Sequence, residues 1–137
     1  MTRALPANHP AIPASKIGVL LLNLGTPDGT DYWSMRRYLS EFLSDRRIIE
    51  LPKLLWQPIL QGIILTIRPG KSGIAYREIW NEERDESPLR TYTRALTEKT
   101  AAQLQAEHPD LLVDYAMRYG NPSTPEKVRA MIERVFA

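Results

Sequence analysis

Cysteine and histidine, the side chains that most often act as nucleophile, base or metal ligand near neutral pH, are scarce in this sequence. Cysteine is absent and the histidines are His9 and His108, which excludes a thiolate nucleophile and a zinc–cysteine site. His9 lies in a proline-rich stretch and His108 at the end of a predicted helix, so we interpret both as structural or simply exposed. The sequence has no HExxH, Walker or GxGxxG motif. These residue types and motifs alone therefore indicate no particular chemistry.

Two loops stand where an α/β protein binds its ligands. Residues 25–29 follow an apolar run, and residues 118–122 follow a second predicted strand. Ligands bind outside the carboxyl ends of strands in an open parallel sheet. If the two strands are neighbours, Arg118 faces the same cleft and offers a carboxylate the planar fork of a guanidinium. The alternatives are a plain connecting turn and a surface arginine.

Residues 51–67 form a segment that is apolar on more than one face, whereas a soluble surface helix normally has a single apolar stripe. Three interpretations stay open: a core helix, the lip of an apolar cleft, or a contact with a membrane surface. Arg68, Lys71 and Tyr76 follow directly. Cationic and phenolic groups beside an apolar lip suit a flat hydrophobic ligand that carries carboxylates.

The elements that position these groups are predicted from periodicity. Residues 17–25 form an unbroken apolar run, which is typical of a strand buried on both faces, and residues 111–117 form a second strand. Pro58 should kink or break the apolar helix, and residues 68–70 should end it. Helices are predicted over residues 31–44, 52–67, 72–80 and 87–107 and from residue 124 onward, with a charged loop over 82–86. Two parallel strands cannot cover so many helices, so either the fold is mostly helical or, as we expect, more strands lie beyond residue 137.

Composition is that of one globular domain with no nucleic-acid partner. The 137 residues carry a net charge of +2, and no basic run is long enough to attract a polyanion. Residues 1–15 contain Pro6, Pro10 and Pro13 without periodicity, which indicates a flexible amino-terminal arm rather than a signal peptide. We expect one domain over residues 16–137 in a cytoplasmic protein.

Five sequence segments resemble ferrochelatases in the family's order. KIGVLLLNLGTPDGT (residues 16–30) resembles the family's opening strand and loop. The others are FLSDRRIIELP (42–52), YREIWNEE (76–83), ESPL (86–89) and MRYGNP (117–122). The resemblance covers residues 16–137, and the long form IWNEERDESPL is similar to the bacterial branch.

The resemblance implies a fold and a reaction. Ferrochelatases insert ferrous iron, which is a substrate, into protoporphyrin IX to make haem. Their fold has two Rossmann-like halves, each a parallel sheet flanked by helices, with a cleft between them. This chain would be the incomplete first half. The family's catalytic histidine and acidic residue would lie beyond residue 137. The resemblance therefore implies no catalytic residue, no metal ligand and no bound cofactor in this chain, and we expect the chain alone to be inactive.

The resemblance also implies binding residues and partners. Leu24 would touch the macrocycle face and Arg118 and Tyr119 would form the inner wall, while further residues line the porphyrin pocket: Arg68, Tyr76 and Ser87. Residues 51–67 would form the lip that takes porphyrin from the membrane surface, and the other partner would be the rest of the chain itself. The competing hypotheses are a free-standing α/β ligand-binding module without catalysis and a membrane-surface interaction piece.

Overall fold

The computed structural model describes residues 16–136, so the predicted arm over residues 1–15 lies outside the described residues. One helical run contains a π turn (Leu60–Ile64) between two α-helices. In chain order the elements are β1 (Ile17–Thr26), α1 (Tyr32–Ser44), α2 (Lys53–Ile59), the π turn, α3 (Leu65–Ile79), α4 (Pro88–Glu107), β2 (Leu111–Gly120) and α5 (Thr124–Phe136).

The two strands pair in parallel, from Ile17 opposite Leu111 to Thr26 opposite Gly120. Helices cover both faces of this sheet. On one face the Asn23 amide donates a 3.0 Å hydrogen bond to the Thr93 hydroxyl of α4, and on the other α5 packs against β1. The predicted fold class, α/β with a parallel sheet flanked by helices, is confirmed, and so is the neighbouring position of the strands.

The prediction that β1 is buried on both faces is wrong for part of the strand. The side chains of Leu22 and Leu24 are 62% and 48% exposed, and Ile17 is exposed as well. Successive strand residues point to opposite faces, and α5 reaches Gly18 and Leu20 at the start of β1. In the described part of the chain, the later apolar side chains of that face therefore stay open.

The core lies between α1, the helical run and the end of β2. Met35, Tyr38, Leu39 and Leu43 of α1 are buried in one cluster with Tyr119 and residues of the run. These α1 positions repeat at three- and four-residue intervals, so one stripe of the helix faces inward, as its periodicity predicts. Asp31 directly precedes the helix, and its carboxylate accepts hydrogen bonds from the Trp33 and Ser34 N–H groups at 3.0 Å, which caps the first turn.

The predicted stop at residues 68–70 is wrong, because α3 continues through Pro69 to Ile79. A proline leaves the carbonyl four residues earlier without its helical donor. Here that carbonyl belongs to Leu65, and it accepts hydrogen bonds from the Tyr32 hydroxyl at 2.9 Å and from the Arg36 guanidinium. Two side chains of α1 thus replace the missing donor, and α3 stays helical.

The run does not break at Pro58 itself, because α2 continues through it to Ile59; the helix is interrupted only by the π turn that follows. Leu60 and Leu65 are both fully buried, five residues apart. An α turn of 3.6 residues would place them on different sides, whereas a π turn closes on the fifth residue. The π turn therefore keeps the inward stripe of the run facing α1.

We predict that Gly73→Ala destabilises the chain, whereas Gly70→Ala in the same helix does not. A Cβ atom at Gly73 would lie 2.4 Å from the Thr30 carbonyl oxygen, and one at Gly70 meets nothing within 4 Å. Overpacking of this kind costs about 1–3 kcal/mol, while an exposed Gly-to-Ala change in a helix gains up to about 1 kcal/mol. Thermal unfolding of both variants measures the difference, and equal stability would contradict the packing of α3 against the loop before α1.

Candidate functional site at the carboxyl end of the sheet

The two strands end side by side at one edge of the sheet. Gly25 has a φ of +130°, and a Cβ atom there would lie 2.0 Å from the Tyr119 carbonyl oxygen. Only glycine tolerates this approach. The loops that follow both strands consequently open on the same side, where parallel α/β sheets bind ligands.

A buried pair of hydroxyls joins the end of β1 to the start of α4. The Thr26 hydroxyl donates to the Ser87 hydroxyl oxygen at 2.5 Å, and both residues are almost completely buried. The Ser87 oxygen also accepts from the Arg90 backbone N–H at 3.3 Å, which makes Ser87 the cap of α4. The Ser87 hydroxyl is therefore bonded to the end of β1 inside the protein and is not exposed to solvent.

Glu86 is a buried carboxylate that holds this helix start in place. It is 4% exposed and accepts hydrogen bonds from the Arg94 guanidinium, with one distance of 2.7 Å, and from the Thr91 hydroxyl at 2.9 Å. Burial alone would raise the pKa of Glu86, but these bonds outweigh it and hold the pKa below its usual value. Backbone hydrogen bonds between Glu86 and Asn81, at 2.8 and 3.2 Å, close the preceding loop. The prediction of a charged loop over residues 82–86 misses this burial.

At the end of β2, two of the predicted porphyrin-binding residues meet Asp45. The Tyr119 hydroxyl donates to the Asp45 carboxylate at 2.6 Å, and Arg118 forms an ion pair with it at 3.2 Å. The Tyr119 hydrogen bond, with further donation from the Arg47 N–H, lowers the pKa of Asp45 to about 2. The same bond raises the pKa of Tyr119. The Arg118 side chain remains 45% exposed, so part of it stays open to solvent.

Tyr76 is partly buried against the hydrophobic core, next to Tyr38. Burial raises the pKa of Tyr38 to about 12, and the neighbouring Tyr76 hydroxyl adds to the effect. Burial likewise raises the pKa of Tyr76. The Tyr38 hydroxyl donates to the Gly25 carbonyl at 3.3 Å, so this phenol pair is tied to the end of β1.

The structure brings some of the predicted binding residues together and leaves one elsewhere. The contacts above link Tyr76, Ser87, Arg118 and Tyr119 to the carboxyl end of the sheet. Leu24 adjoins Gly25 and presents a half-exposed apolar side chain.

Arg68 instead borders an open groove of about 510 Å³ on α3. The groove has apolar and cationic walls, formed by Ile63, Ile64, Ile67, Arg68, Lys71, Ser72 and Ala75. Within residues 16–136, no group of three or more His, Cys, Asp or Glu side chains comes together to hold a metal ion.

Sequence reasoning did not single out Thr26, Asp45 or Glu86 as parts of the site. Asp45 and Glu86 both lie in segments that carry the family resemblance, FLSDRR and ESPL. Such acidic residues look like ordinary surface charges until the fold places Arg118 and Arg94 beside them. The signal available was their position inside those segments rather than their residue type.

The chain belongs to the ferrochelatase family. The family model described as Ferrochelatase matches residues 16–136. The chain is 61% identical over 131 residues to the ferrochelatase of Agrobacterium fabrum (strain C58), covering 96% of this chain and 38% of that protein. It is 60% identical over 129 residues to that of Chelativorans sp. (strain BNC1), with 94% and 36% covered. It is 58% identical over 129 residues to that of Rhodobacter capsulatus, with 93% and 37% covered.

The chain thus spans 36–38% of the length of these curated relatives, which it matches over nearly all of its own length. No solved structure matches the chain. The resemblance stated from the five segments is confirmed.

We predict that Ser87→Ala is more damaging than the loss of a helix cap alone. It removes the cap of α4 and also leaves the buried Thr26 hydroxyl without its acceptor, for an expected loss of about 2–3 kcal/mol. Ser123→Ala is the matched control, because the Ser123 hydroxyl caps α5 at an exposed position and its loss should cost about 1 kcal/mol. Urea unfolding compares the two variants, and equal losses would show that the Thr26–Ser87 pair adds nothing.

We predict that Tyr119→Phe raises the pKa of Asp45 from about 2 towards the unfolded value of about 3.9. A lowered carboxyl pKa stabilises the fold above the unfolded pKa, and this contribution is lost as pH falls through the folded pKa. The variant should therefore lose this contribution at neutral pH. Carboxyl-carbon NMR titration of Asp45 measures the shift, with Asp110 as a reference carboxylate. An unchanged midpoint would rule out the phenol as its main cause.

Proposed function

We propose that this chain forms the porphyrin-binding wall of a ferrochelatase, which inserts ferrous iron into protoporphyrin IX to give protohaem. The observation that carries the proposal is the convergence of Leu24, Ser87, Arg118 and Tyr119 at the carboxyl end of one parallel sheet, in a chain of the ferrochelatase family. These residues lie where an α/β sheet binds its ligand.

The exposed residues of this set suit different parts of a porphyrin, and the buried ones hold them in place. The half-exposed Leu24 offers apolar contact to the macrocycle face, and burial of a side chain of this size contributes about 1.5–3 kcal/mol when complete. Arg118 already binds a carboxylate, that of Asp45, and its exposed part can take a propionate in the same way. The phenol of Tyr119 is fixed by Asp45, so the wall is ordered before ligand arrives. Such preorganisation lowers the entropy cost of binding.

The reaction requires that two pyrrole N–H protons leave the macrocycle as Fe²⁺ enters, and a bent macrocycle opens the nitrogen lone pairs to the metal. Binding energy from the periphery of the porphyrin can supply that distortion. The residues of this chain bind and orient in our proposal. We assign proton removal and iron delivery to the part of the ferrochelatase that this chain does not cover, so the isolated chain should not catalyse metalation.

We further propose that the protein is cytoplasmic and touches the inner membrane peripherally through residues 51–67. Exposed apolar side chains on that segment, among them Leu54, Ile63 and Ile67, support this contact. None of the helices within residues 16–136 has the length and apolarity needed to cross a bilayer. Arg68 borders the groove on the same segment and would receive porphyrin that arrives from the lipid.

The test is a chimera in which this chain replaces the corresponding part of a relative's ferrochelatase. We expect the chimera to insert Fe²⁺ or Zn²⁺ into protoporphyrin, while the isolated chain does neither and binds porphyrin weakly. Arg118→Ala in the chimera should raise KM for porphyrin, because one propionate loses its bidentate partner. Lys99→Ala, a change at an exposed position on α4, is the control.

Porphyrin absorbance during metalation gives the rates. An inactive but folded chimera would contradict the proposal. Tight porphyrin binding by the isolated chain would favour the free-standing ligand-binding module instead.

A further inference from the structure

Arg94 of α4 holds a carboxylate that is almost completely buried. Its guanidinium donates through both terminal nitrogens to the two carboxylate oxygens of Glu86, with one distance of 2.7 Å. A planar guanidinium matches a carboxylate in this two-pronged way, whereas the ammonium group of a lysine is a point charge. The position of the Glu86 carboxylate is therefore fixed in two directions at once.

Arg94 also connects this carboxylate to the sheet. The bond to Glu86 raises the pKa of Arg94, and Tyr115 of β2 lies close enough to add to the effect. The helix that carries Arg94 packs against β2 along its length. The carboxylate is thus held by a side chain that stands on the scaffold of the sheet and not on a loop.

The Glu86 carboxylate passes this constraint to the end of α3. One of its oxygens accepts from the Thr91 hydroxyl at 2.9 Å, and the Thr91 oxygen accepts from the Asn81 amide at 3.1 Å. The backbones of Asn81 and Glu86 also pair through hydrogen bonds of 2.8 and 3.2 Å. Because α3 ends at Ile79, just before Asn81, these contacts determine where that helix ends.

Two aromatic side chains connect the same loop to the proposed binding wall. The Trp80 indole N–H donates to the Asp85 carboxylate at 2.9 Å. The Trp80 ring meets the ring of Tyr76 edge-on, with centroids 6.4 Å apart. Tyr76 lies on α3, one turn before that helix ends. A displacement of the loop would therefore move Tyr76 relative to the end of β1.

The sheet side of the wall is attached to the same carboxylate. Ser87 follows Glu86 directly, and its hydroxyl accepts from Thr26 at the end of β1. Glu86 thus lies between the end of α3, which carries Tyr76, and the end of β1. A porphyrin is flat and stiff, so it can contact both sides only if their spacing is right. Holding binding groups at a fixed spacing before the ligand arrives lowers the cost of binding.

We infer that Arg94 is a positioning residue for porphyrin binding, which through Glu86 and Asn81 sets the spacing between the α3 side and the sheet side of the wall. This inference rests on the proposed function and adds to it a residue that acts through its neighbours instead of by touching the ligand.

Arg94→Lys in the chimera tests the inference. Lysine keeps a positive charge beside the buried carboxylate but loses the two-pronged contact. Arg90→Lys is the matched control, because Arg90 lies on the same helix, is similarly exposed and approaches the same carboxylate only to 3.7 Å. We expect Arg94→Lys to raise Kd and KM for porphyrin about tenfold with kcat unchanged, and Arg90→Lys to change none of the three.

A second variant interrupts the connection at its other end. Asn81→Ala removes the amide that bonds Thr91 and leaves the pair of Glu86 and Arg94 intact, so no buried charge loses its partner. It should raise Kd and KM in the same direction. A lower kcat at unchanged KM in both variants would mean only that less enzyme is folded, and it would overturn the inference. Urea unfolding measures that loss of stability directly.

The indole N–H resonance of Trp80 provides a readout that needs no activity. Its bond to Asp85 makes this resonance sensitive to the loop. The Trp56 indole, which donates to the Leu43 carbonyl at 2.8 Å, is the internal reference. We expect the Trp80 resonance to move in Arg94→Lys while the Trp56 resonance stays in place. An unmoved Trp80 resonance, or equal changes of Kd in Arg94→Lys and Arg90→Lys, would overturn the inference.

Porphyrin titration without metal separates this inference from the proposed function. A folded chimera that inserts no metal, but whose porphyrin Kd rises in Arg94→Lys, would contradict iron insertion and leave the positioning role standing. A chimera that metalates porphyrin with the same KM in Arg94→Lys as in the unaltered protein would do the reverse. A folded chimera that binds no porphyrin would overturn both.

Discussion

The buried hydrogen bond between Thr26 and Ser87 is the contact on which the site depends. It joins the last residue of β1 to the first turn of α4, 61 positions apart in sequence. A buried hydroxyl without a partner costs about 1–3 kcal/mol, so each residue needs the other. Since Glu86 precedes Ser87 and is held by Arg94, the cap, the carboxylate and the strand end form one fixed unit. The loop after β1 extends from that unit.

The second strand end is fixed both by burial, through the core residue Tyr119, and by charge. Asp45, at the end of α1, holds both the phenol of Tyr119 and the guanidinium of Arg118. An exposed ion pair contributes little to stability, but it does orient the side chains that it joins. One strand end is thus held by a buried network, and the other by the buried Tyr119 ring and an ion pair that leaves Arg118 partly exposed. A binding wall needs both properties.

Much of the fold and part of the site follow from the sequence. Apolar runs and helix periodicity predict β1, α1, α4 and the start of β2, because each pattern reflects a local face. Whether Pro69 ends a helix depends on Tyr32 and Arg36, which lie over thirty residues away. The role of Asp45 likewise depends on Arg118, 73 residues away. Glu86 is held by Arg94, eight residues later, and no motif in the sequence marks that pair. Whether Leu22 is exposed depends on which helix covers that part of the sheet, and an apolar run in the sequence does not show which residues of a strand are covered.

The central claim is that the carboxyl end of the β1–β2 sheet is a porphyrin-binding surface. Amide chemical-shift mapping during titration with protoporphyrin tests it most directly. A pocket at the amino end of the two strands, lined by Ile17, His108 and Leu111, provides an internal reference. We predict the largest shifts at Gly25, Thr26, Arg118 and Tyr119, with the reference pocket unchanged. Shifts confined to the pocket, or spread evenly over the chain, would contradict the claim.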